Sequence, residues 1–241
     1  MLRTIQRLVV AAALAVPAIG SAATLIDDFD SGAASFSNGG LIETQTVQAG
    51  TMIGGGRFSG QLCYFGCYSA PYSTFAVGDG TVDVGVVDGG LQTTRILWGN
   101  TSLTSTVYPL GSLSLDVSGD TAFELKFSNV SAKLPVQLAV FSGSGYSEYR
   151  ASGTTRGIVV GSGADQVVTL ALSDFQGAAT FSNINGIGLV LGGSNGAGVE
   201  EATANFSLDY IKTVGAVPEP GTWAMVLVGL GSMGVAARRR R

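Results

Sequence analysis

The sequence predicts an all-β protein, a two-sheet β-sandwich of the jelly-roll type, flanked by two terminal targeting segments. Three observations lead to this prediction. The middle of the chain repeats short alternating apolar and polar runs, these runs are separated by glycine-rich turns, and helical periodicity is almost absent. The two ends are different in composition, because each combines an apolar run with arginines. We therefore divide the chain into residues 1–23, 24–214 and 215–241.

Residues 1–23 have the three parts of a secretory signal peptide. Arg3 and Arg7 form the positive start, residues 8–19 form the apolar core, and residues 21–23 supply the small side chains that signal peptidase requires. An N-terminal membrane anchor is the alternative, but the apolar core is short for a membrane span. We expect signal peptidase to remove this segment and the body to be exported.

Five alternating runs predict strands of the body. Their inward residues are Leu113, Leu115 and Val117; Phe123, Leu125 and Phe127; Val136, Leu138 and Val140; Val168, Leu170 and Leu172; and Phe206, Leu208 and Tyr210. Turn signals separate the runs at residues 118–120, 142–145 and 161–165. A body of about 190 residues needs roughly eight or more strands in two sheets to bury such faces, which favours a jelly roll.

The body is acidic and contains no histidine. Six of the thirteen Lys and Arg residues fall in the terminal segments, which leaves seven in the body against sixteen Asp and Glu, a net charge of −9. This balance disfavours nucleic acid and anionic lipid as partners. The absence of histidine removes the usual base of a serine nucleophile, so the Gly-x-Ser-x-Gly match at residues 192–196 indicates only a glycine-rich loop.

Cys63 and Cys67 are the only two cysteines, and we expect them to form a local disulfide in an oxidising compartment. A metal or redox site is the alternative, but two thiols without histidine cannot complete the usual zinc ligand set. Tyr64, Tyr68 and Trp98 are candidates for stacking on sugar rings, because an aromatic face is apolar and rigid. Packing over the edge of the core is the alternative for such aromatic residues.

A glycoside hydrolase needs only two carboxylates at a suitable separation. The glutamates available for this role are Glu124, Glu148, Glu200 and Glu201, but nothing in their spacing selects a pair. Charged residues make up 12% of the chain, which leaves little material for a polar active site. We therefore expect no enzymatic activity and assign no catalytic residue.

The end of the chain combines a Pro-Glu-Pro triplet, an uncharged run and an arginine cluster. The triplet is Pro218, Glu219 and Pro220, and the cluster is Arg238, Arg239, Arg240 and Arg241. As a helix, residues 223–237 would cover about 22 Å, short of the roughly 30 Å hydrocarbon core, but snorkelling arginine stems bring it close to a single membrane span. The arginines then act as a stop-transfer signal on the cytoplasmic side. A buried helix with a basic tail is the alternative, and it does not explain the order of the segments.

This tail resembles the PEP-CTERM sorting signal of exported proteins of Gram-negative bacteria. The resemblance implies that an exosortase, a membrane-embedded cysteine transpeptidase, recognises the tail and cuts it near the triplet. It also implies transient attachment to the inner membrane, followed by transfer to the cell surface or to an extracellular matrix or biofilm rich in exopolysaccharide. The tail thus predicts a destination rather than an activity.

The body resembles the galactose-binding-like jelly rolls found among carbohydrate-binding modules, through residues 25–30, 172–175 and 208–211. The resemblance implies that the first and last strands pair and that acidic groups near them hold a structural calcium. The matching positions are Asp27, Asp28, Asp30 and Asp209, and carboxylates suit such a hard cation. Solvent-facing aspartates at strand ends are the alternative. Two functions remain: a non-enzymatic surface or matrix protein, and a lectin similar to a carbohydrate-binding module.

Overall fold

The computed structural model describes residues 22–38, 44–65, 73–86, 91–99, 113–151, 157–193 and 204–216. They belong almost entirely to a compact unit that runs over Ala23–Val214. Nearly all of the predicted signal peptide and sorting tail lie outside the described residues, and with them the predicted membrane helix. Within the described ranges, no helix has the length and apolar character needed to cross a membrane.

Fifteen strands occur in the described part of the chain. They are β1 (Leu25–Asp27), β2 (Ala34–Asn38), β3 (Thr44–Ala49), β4 (Gly56–Phe65), β5 (Ser73–Gly78), β6 (Thr81–Val86), β7 (Leu91–Trp98), β8 (Asp120–Val130), β9 (Leu134–Ser142), β10 (Gly145–Tyr149), β11 (Ile158–Val160), β12 (Gly163–Ala171), β13 (Phe175–Gly177), β14 (Gly186–Gly192) and β15 (Phe206–Gly215). Two short 3-10 turns lie at Ile53–Gly55 and Leu172–Asp174.

The strands form two antiparallel sheets. Sheet A has the order β12-β8-β15-β6-β5-β2, with β1 paired to β15, and sheet B has the order β13-β10-β9-β14-β7-β4-β3, with β11 paired to β9. The predicted all-β sandwich of two sheets is confirmed. Leu25 of β1 lies opposite Lys212 of β15, so the predicted pairing of the first and last strands is also confirmed for the described strands.

The inner faces of the two sheets form one apolar core, because every second residue of a strand points to the same side. On β8, Phe123, Leu125 and Phe127 are fully buried, while Glu124 and Lys126 between them are half-buried. The same alternation places Leu134, Val136, Leu138 and Val140 of β9 in the core. For these strands the predicted inward faces are confirmed.

The inward residues of β15 differ from the prediction after Leu208. Phe206 and Leu208 are buried, but the next buried apolar residue is Ile211 and not Tyr210. The Tyr210 hydroxyl instead donates a hydrogen bond to Glu124, which belongs to the outer face of sheet A. An irregular alternation near the middle of this strand therefore reverses the predicted orientation of one aromatic side chain.

Residues 113–117 were expected to form a strand, and this expectation is wrong for their backbone. Leu115 makes one isolated antiparallel bridge with Ile184, and the N–H of Val117 donates to the Phe181 carbonyl at 2.8 Å. The neighbouring segment contains a turn, so regular pairing is not continued. Leu113, Leu115 and Val117 are nevertheless buried, as their spacing predicts.

Candidate functional site

A buried ion pair joins the two sheets. Arg57 lies on β4 of sheet B and Asp27 lies on β1 of sheet A, and both side chains are fully buried. The Arg57 Nη1 donates to Asp27 Oδ1 at 2.9 Å and to Oδ2 at 2.7 Å. The Trp98 indole N–H donates to Oδ2 at 2.8 Å, and the Phe29 backbone N–H donates to Oδ1 at 2.9 Å. Each carboxylate oxygen of Asp27 therefore has two donors.

The rest of the Arg57 guanidinium is also held by protein groups. Its Nε donates to Gln48 Oε1 at 2.6 Å, and its Nη2 donates to the carbonyls of Ser31 at 2.8 Å and Gly32 at 3.0 Å. The guanidinium carbon lies 5.1 Å from the centroid of the Phe29 ring, a distance at which a cation is attracted by the ring face. We interpret this group of contacts as a structural connection between the sheets.

This connection overturns one predicted glycan contact. Trp98 is fully buried in the core and its N–H is committed to Asp27, so the prediction that Trp98 stacks on a sugar ring is wrong. The physical reason is that Trp98 lies on the inner side of β7, next to Ile96 in the alternation of that strand. Its large apolar ring fills the space between the sheets.

The four predicted calcium ligands have other partners or lie apart. Asp27 is paired with Arg57, and Asp209 is paired with Lys126 at 3.0 Å. Asp28 Oδ1 accepts a hydrogen bond from the Asp30 backbone N–H at 3.2 Å. Among the described residues there is no group of three or more His, Cys, Asp or Glu side chains that could hold a metal ion. Asp27 and Asp209 thus each have a basic partner, and calcium at the predicted position stays a prediction.

Several other predicted site residues lie outside the described part of the chain. They are Cys67 and Tyr68, the side chains of Cys63 and Tyr64, the two glutamates Glu200 and Glu201, the sorting residues Pro218, Glu219 and Pro220, and the arginines Arg238, Arg239, Arg240 and Arg241. The disulfide, two of the stacking residues and the geometry of the tail therefore stay predictions.

The outer face of sheet A carries paired charges. Lys126 on β8 pairs with Asp209 on β15, and Lys212 on β15 pairs with Glu124 on β8 at 2.9 Å. The Tyr210 hydroxyl donates to Glu124 Oε1 at 2.8 Å, and the Lys212 ammonium lies 4.8 Å from the centroid of the Tyr210 ring. Opposite charges on neighbouring strands thus face each other in two successive pairs.

These contacts keep Glu124 ionised. The hydrogen bond from Lys212 lowers the pKa of the Glu124 carboxyl, against an opposing effect of burial, and the Tyr210 hydroxyl lowers it further. The same Glu124–Lys212 hydrogen bond raises the pKa of the Lys212 ammonium. A general acid needs a carboxyl that stays protonated near the working pH, and a lowered pKa has the opposite effect. We therefore read Glu124 as part of a solvated, charge-paired face.

The outer face of sheet B has a different chemistry. Cross-strand partners share a face, and the core positions of Ile96, Leu138 and Leu189 define the inner one. The outer positions form rows across the sheet, namely Gly60, Arg95, Val190 and Gln137; Phe58, Leu97, Gly188, Ala139 and Glu148; and Phe141 with Tyr146. We call these residues the sheet B face. It combines aromatic, amide and charged side chains on a floor of small residues.

Two side chains cover the middle of the sheet B face at Gly188, which is buried. A Cβ atom at this position would lie 3.2 Å from Leu97 Cδ2 and 3.6 Å from Phe141 Cε2. Glycine thus lets Leu97 and Phe141 pack closely over this position. Phe58, Phe141 and Glu148 are nearly buried although they belong to this face, so only part of it is open to solvent.

The most exposed aromatic residue of the sheet B face is Tyr146, which is 37% exposed. Its ring lies against Phe141, with 5.4 Å between the ring centroids and 43° between the ring planes. An exposed aromatic ring that is held by a buried one can contact an apolar ligand face without losing much conformational freedom. Tyr146 is therefore the candidate ligand contact of the body.

Sequence reasoning missed both Arg57 and Tyr146. Arg57 is the only charged residue in the ten-residue strand β4, which is a signal that it is paired inside the fold. Tyr146 directly follows the predicted turn at residues 142–145 and is the second residue of β10. An aromatic residue beside a hairpin turn was a signal for an exposed ring at the end of a strand.

The chain was then compared with known proteins. The PEP-CTERM protein-sorting motif family matches residues 216–241. The curated proteins gave no match. Among solved structures, the chain is similar to the family 11 carbohydrate-binding module from Clostridium thermocellum in complex with a beta-1,3-1,4-mixed-linked tetrasaccharide, at 14% identity, with 84% of this chain and 99% of that chain covered and a TM-score of 0.42.

A second similar structure is the family 11 carbohydrate-binding module of the cellulosomal cellulase Lic26A-Cel5E of Clostridium thermocellum. It shares 14% identity, with 81% of this chain and 95% of that chain covered and a TM-score of 0.38. The resemblance of the tail to a sorting signal, stated from the sequence, is thus found. The last 26 residues of this chain carry a PEP-CTERM protein-sorting motif, which implies export and membrane-associated sorting before surface display.

Proposed function

We propose that this chain is a non-enzymatic surface or matrix protein of a Gram-negative bacterium. Its tail is cut by an exosortase after transient attachment to the inner membrane, and its body passes to an exopolysaccharide-rich surface or biofilm. The observation that carries the proposal is the sorting motif at residues 216–241. The predicted signal peptide at residues 1–23 supports it, because the two segments together describe export followed by retention at a membrane.

The body suits this role as a jelly roll that is compact without its tail. The chain passes repeatedly between the two sheets, and β1 and β15 pair within sheet A. Both ends of the body are thereby held by backbone hydrogen bonds. We expect the body to stay folded after the tail has been cut off.

The charges of the body support a non-enzymatic role. Hydrogen bonds lower the pKa of the Asp116 carboxyl and of the Glu124 carboxyl. A glycoside hydrolase needs one carboxyl with a raised pKa as its general acid, so neither of these two groups suits that role.

The mass of the mature surface protein tests this proposal. In a producing bacterium we expect a mass that lacks residues 1–23 and the tail beyond the cleavage point. The tail should be retained in a strain without exosortase activity and in a variant with Pro218→Ala, Glu219→Ala and Pro220→Ala. Asp174→Ala, an exposed change in the body, is the control and should be processed normally. Normal processing of the triple variant would show that the proposed sorting route is wrong.

Carbohydrate binding by the sheet B face is a second candidate function, and the exposed ring of Tyr146 favours it. Sugar rings present apolar C–H faces together with hydroxyl groups. Tyr146 offers a rigid apolar surface, and Arg95 on β7 and Gln137 on β9 carry planar polar groups on the same face. Because β14 lies between these strands, Arg95 and Gln137 start about 10 Å apart across the sheet, wide enough for an extended ligand.

Binding to a glycan array and to soluble polysaccharides tests this second function. Tyr146→Ala should weaken binding by about 2- to 10-fold, the usual contribution of an aromatic contact. Val167→Ala is the matched control, because Val167 is 54% exposed on sheet A, and it should bind like the unchanged protein. Equal weakening in both variants would exclude the sheet B face as the site. Repeating the assay with a calcium chelator tests the predicted calcium.

A further inference from the structure

A cleft lies between the sheets, where β6 and β15 of sheet A face β7, β9 and β14 of sheet B. The space in and around it is about 220 Å³ when the adjoining open solvent is counted, and the part enclosed by protein is only water-sized. Its walls are mainly apolar and include Val84, Leu134, Leu191 and Phe206. Gln92 and Thr94 supply its polar lining, and both are almost fully buried. The cleft is separate from the sheet B face, because its lining side chains point into the sandwich.

Gln92 begins a chain of buried hydrogen bonds. The Gln92 Nε2 donates to Ser73 Oγ, and Ser73 Oγ donates to Gln61 Oε1 at 2.9 Å. The Gln61 Nε2 then donates to the Thr74 carbonyl at 3.3 Å and to Thr94 Oγ1 at 3.4 Å. Each of these hydrogen bonds is thus donated in the direction that leads away from Gln92.

The direction of these hydrogen bonds decides which atom of the Gln92 amide points to Ser73. The Ser73 hydroxyl already uses its single hydrogen on Gln61, so it can only accept from Gln92. The amide nitrogen of Gln92 must therefore point to Ser73, which leaves the oxygen Oε1 on the other side. This buried oxygen has no hydrogen-bond partner. A buried acceptor without a donor is unfavourable, and its presence in a cleft indicates a missing donor.

We propose that this cleft binds one small hydrogen-bond donor, a water molecule or an alcohol hydroxyl, on Gln92 Oε1. The free space inside the cleft is water-sized, which admits a single oxygen. The described lining contains no charged residue, so a neutral donor is favoured over an ammonium group. The cleft is partly open to solvent, and the short alkyl stem of an alcohol would extend toward that opening.

Solution NMR of the full chain in detergent micelles tests the proposal. With the glutamine side chains labelled with nitrogen-15, we expect a direct nuclear Overhauser effect between water and the Nε2 protons of Gln92. Rotating-frame spectra separate this effect from exchange through the Ser73 hydroxyl by its sign. Titration with methanol then distinguishes the two sources. A saturable shift at Gln92 with loss of the water signal identifies a solute hydroxyl, and an unchanged water signal identifies water.

Gln92→Met gives a second readout, because it keeps the length of the side chain and removes the acceptor. Oxygen-17 relaxation of water should count one long-lived internal water fewer in this variant than in Gln176→Met, a control on the exposed strand β13. If Gln92→Met does not fold, the water signal and the methanol shift at Gln92 of the unchanged protein decide whether the proposal holds. Absence of both the water signal and the methanol shift at Gln92 would overturn the proposal.

Discussion

The ion pair between the sheets and the ion pairs on the outer face of sheet A join similar charges in opposite surroundings. Arg57 and Asp27 have no exposed side-chain surface, whereas the lysines that pair with Asp209 and Glu124 are each 34% exposed. Removing one partner of a buried pair costs about 3–5 kcal/mol, whereas an exposed pair contributes about 0–1 kcal/mol. Burial, more than the identity of the charges, therefore decides which carboxylate the fold depends on.

The largest expected effect follows from removing the buried negative charge. Asp27→Asn should lower the free energy of unfolding by about 3–5 kcal/mol, because Arg57 would keep its charge in a buried place without a counter-ion. Urea unfolding at neutral pH measures this loss.

Asp209→Asn on the outer face is the matched control for this change and should cost much less. A double variant that adds Arg57→Met should lose less than the sum of the two single variants, since both changes remove the same pair. Equal losses in Asp27→Asn and Asp209→Asn would contradict the comparison.

A smaller effect is expected for Trp98→Phe. This change removes the indole donor and leaves Asp27 Oδ2 with Arg57 alone, so it should cost about 1–3 kcal/mol. Its control is Tyr210→Phe, which removes a donor to Glu124 on the outer face and should cost less. Urea unfolding of both variants gives the difference, and a larger loss in Tyr210→Phe would argue against the decisive role of burial.

The pH dependence of the Glu124–Lys212 pair gives a third, weaker effect. The folded-state pKa of Glu124 is lowered from its ordinary value of 4.5, first by the hydrogen bond from Lys212. Its contribution is therefore complete above pH 4.5 and is lost as the pH falls through the folded-state pKa. Because the pair is partly exposed, we expect a contribution below about 1 kcal/mol.

The measurement for this third prediction is the change in unfolding free energy between neutral and strongly acidic pH. The unchanged protein should lose slightly more stability on acidification than Glu124→Gln, whose side chain does not titrate. The same change in both proteins would show that the Glu124–Lys212 hydrogen bond adds no stability.

The smallest effect is expected for Lys126→Met. Lys126 is partly exposed and its pKa is raised mainly by the hydrogen bond to Asp209, but water and salt screen this pair. Unfolding at physiological salt should not differ measurably from that of the unchanged protein. A clear loss of unfolding free energy that persists at high salt would show that the Lys126–Asp209 pair stabilises the fold as a buried pair does.

Local patterns predicted a large part of the architecture. The alternation of Phe123, Leu125 and Phe127 is enough to orient β8, because a strand has a period of two residues and one of its faces must be buried. The same reasoning identified the inner side of β9. The alternation was insufficient for residues 113–117. It predicted correctly which side chains are buried, but the neighbouring segment does not supply the continuous backbone hydrogen bonds that a strand needs.

By itself, the sequence determined the all-β class, the inward faces of the regular strands and the sorting motif at the end of the chain. These features depend on short stretches in which neighbouring residues carry the whole signal. Only the tertiary structure decided that Trp98 is buried, that Asp27 pairs with Arg57 and that the exposed ring of Tyr146 packs against Phe141 on the sheet B face. Asp27 is separated by 30 residues from Arg57 and by 71 residues from Trp98. Contacts over such distances arise from strand order and register, which no local pattern encodes.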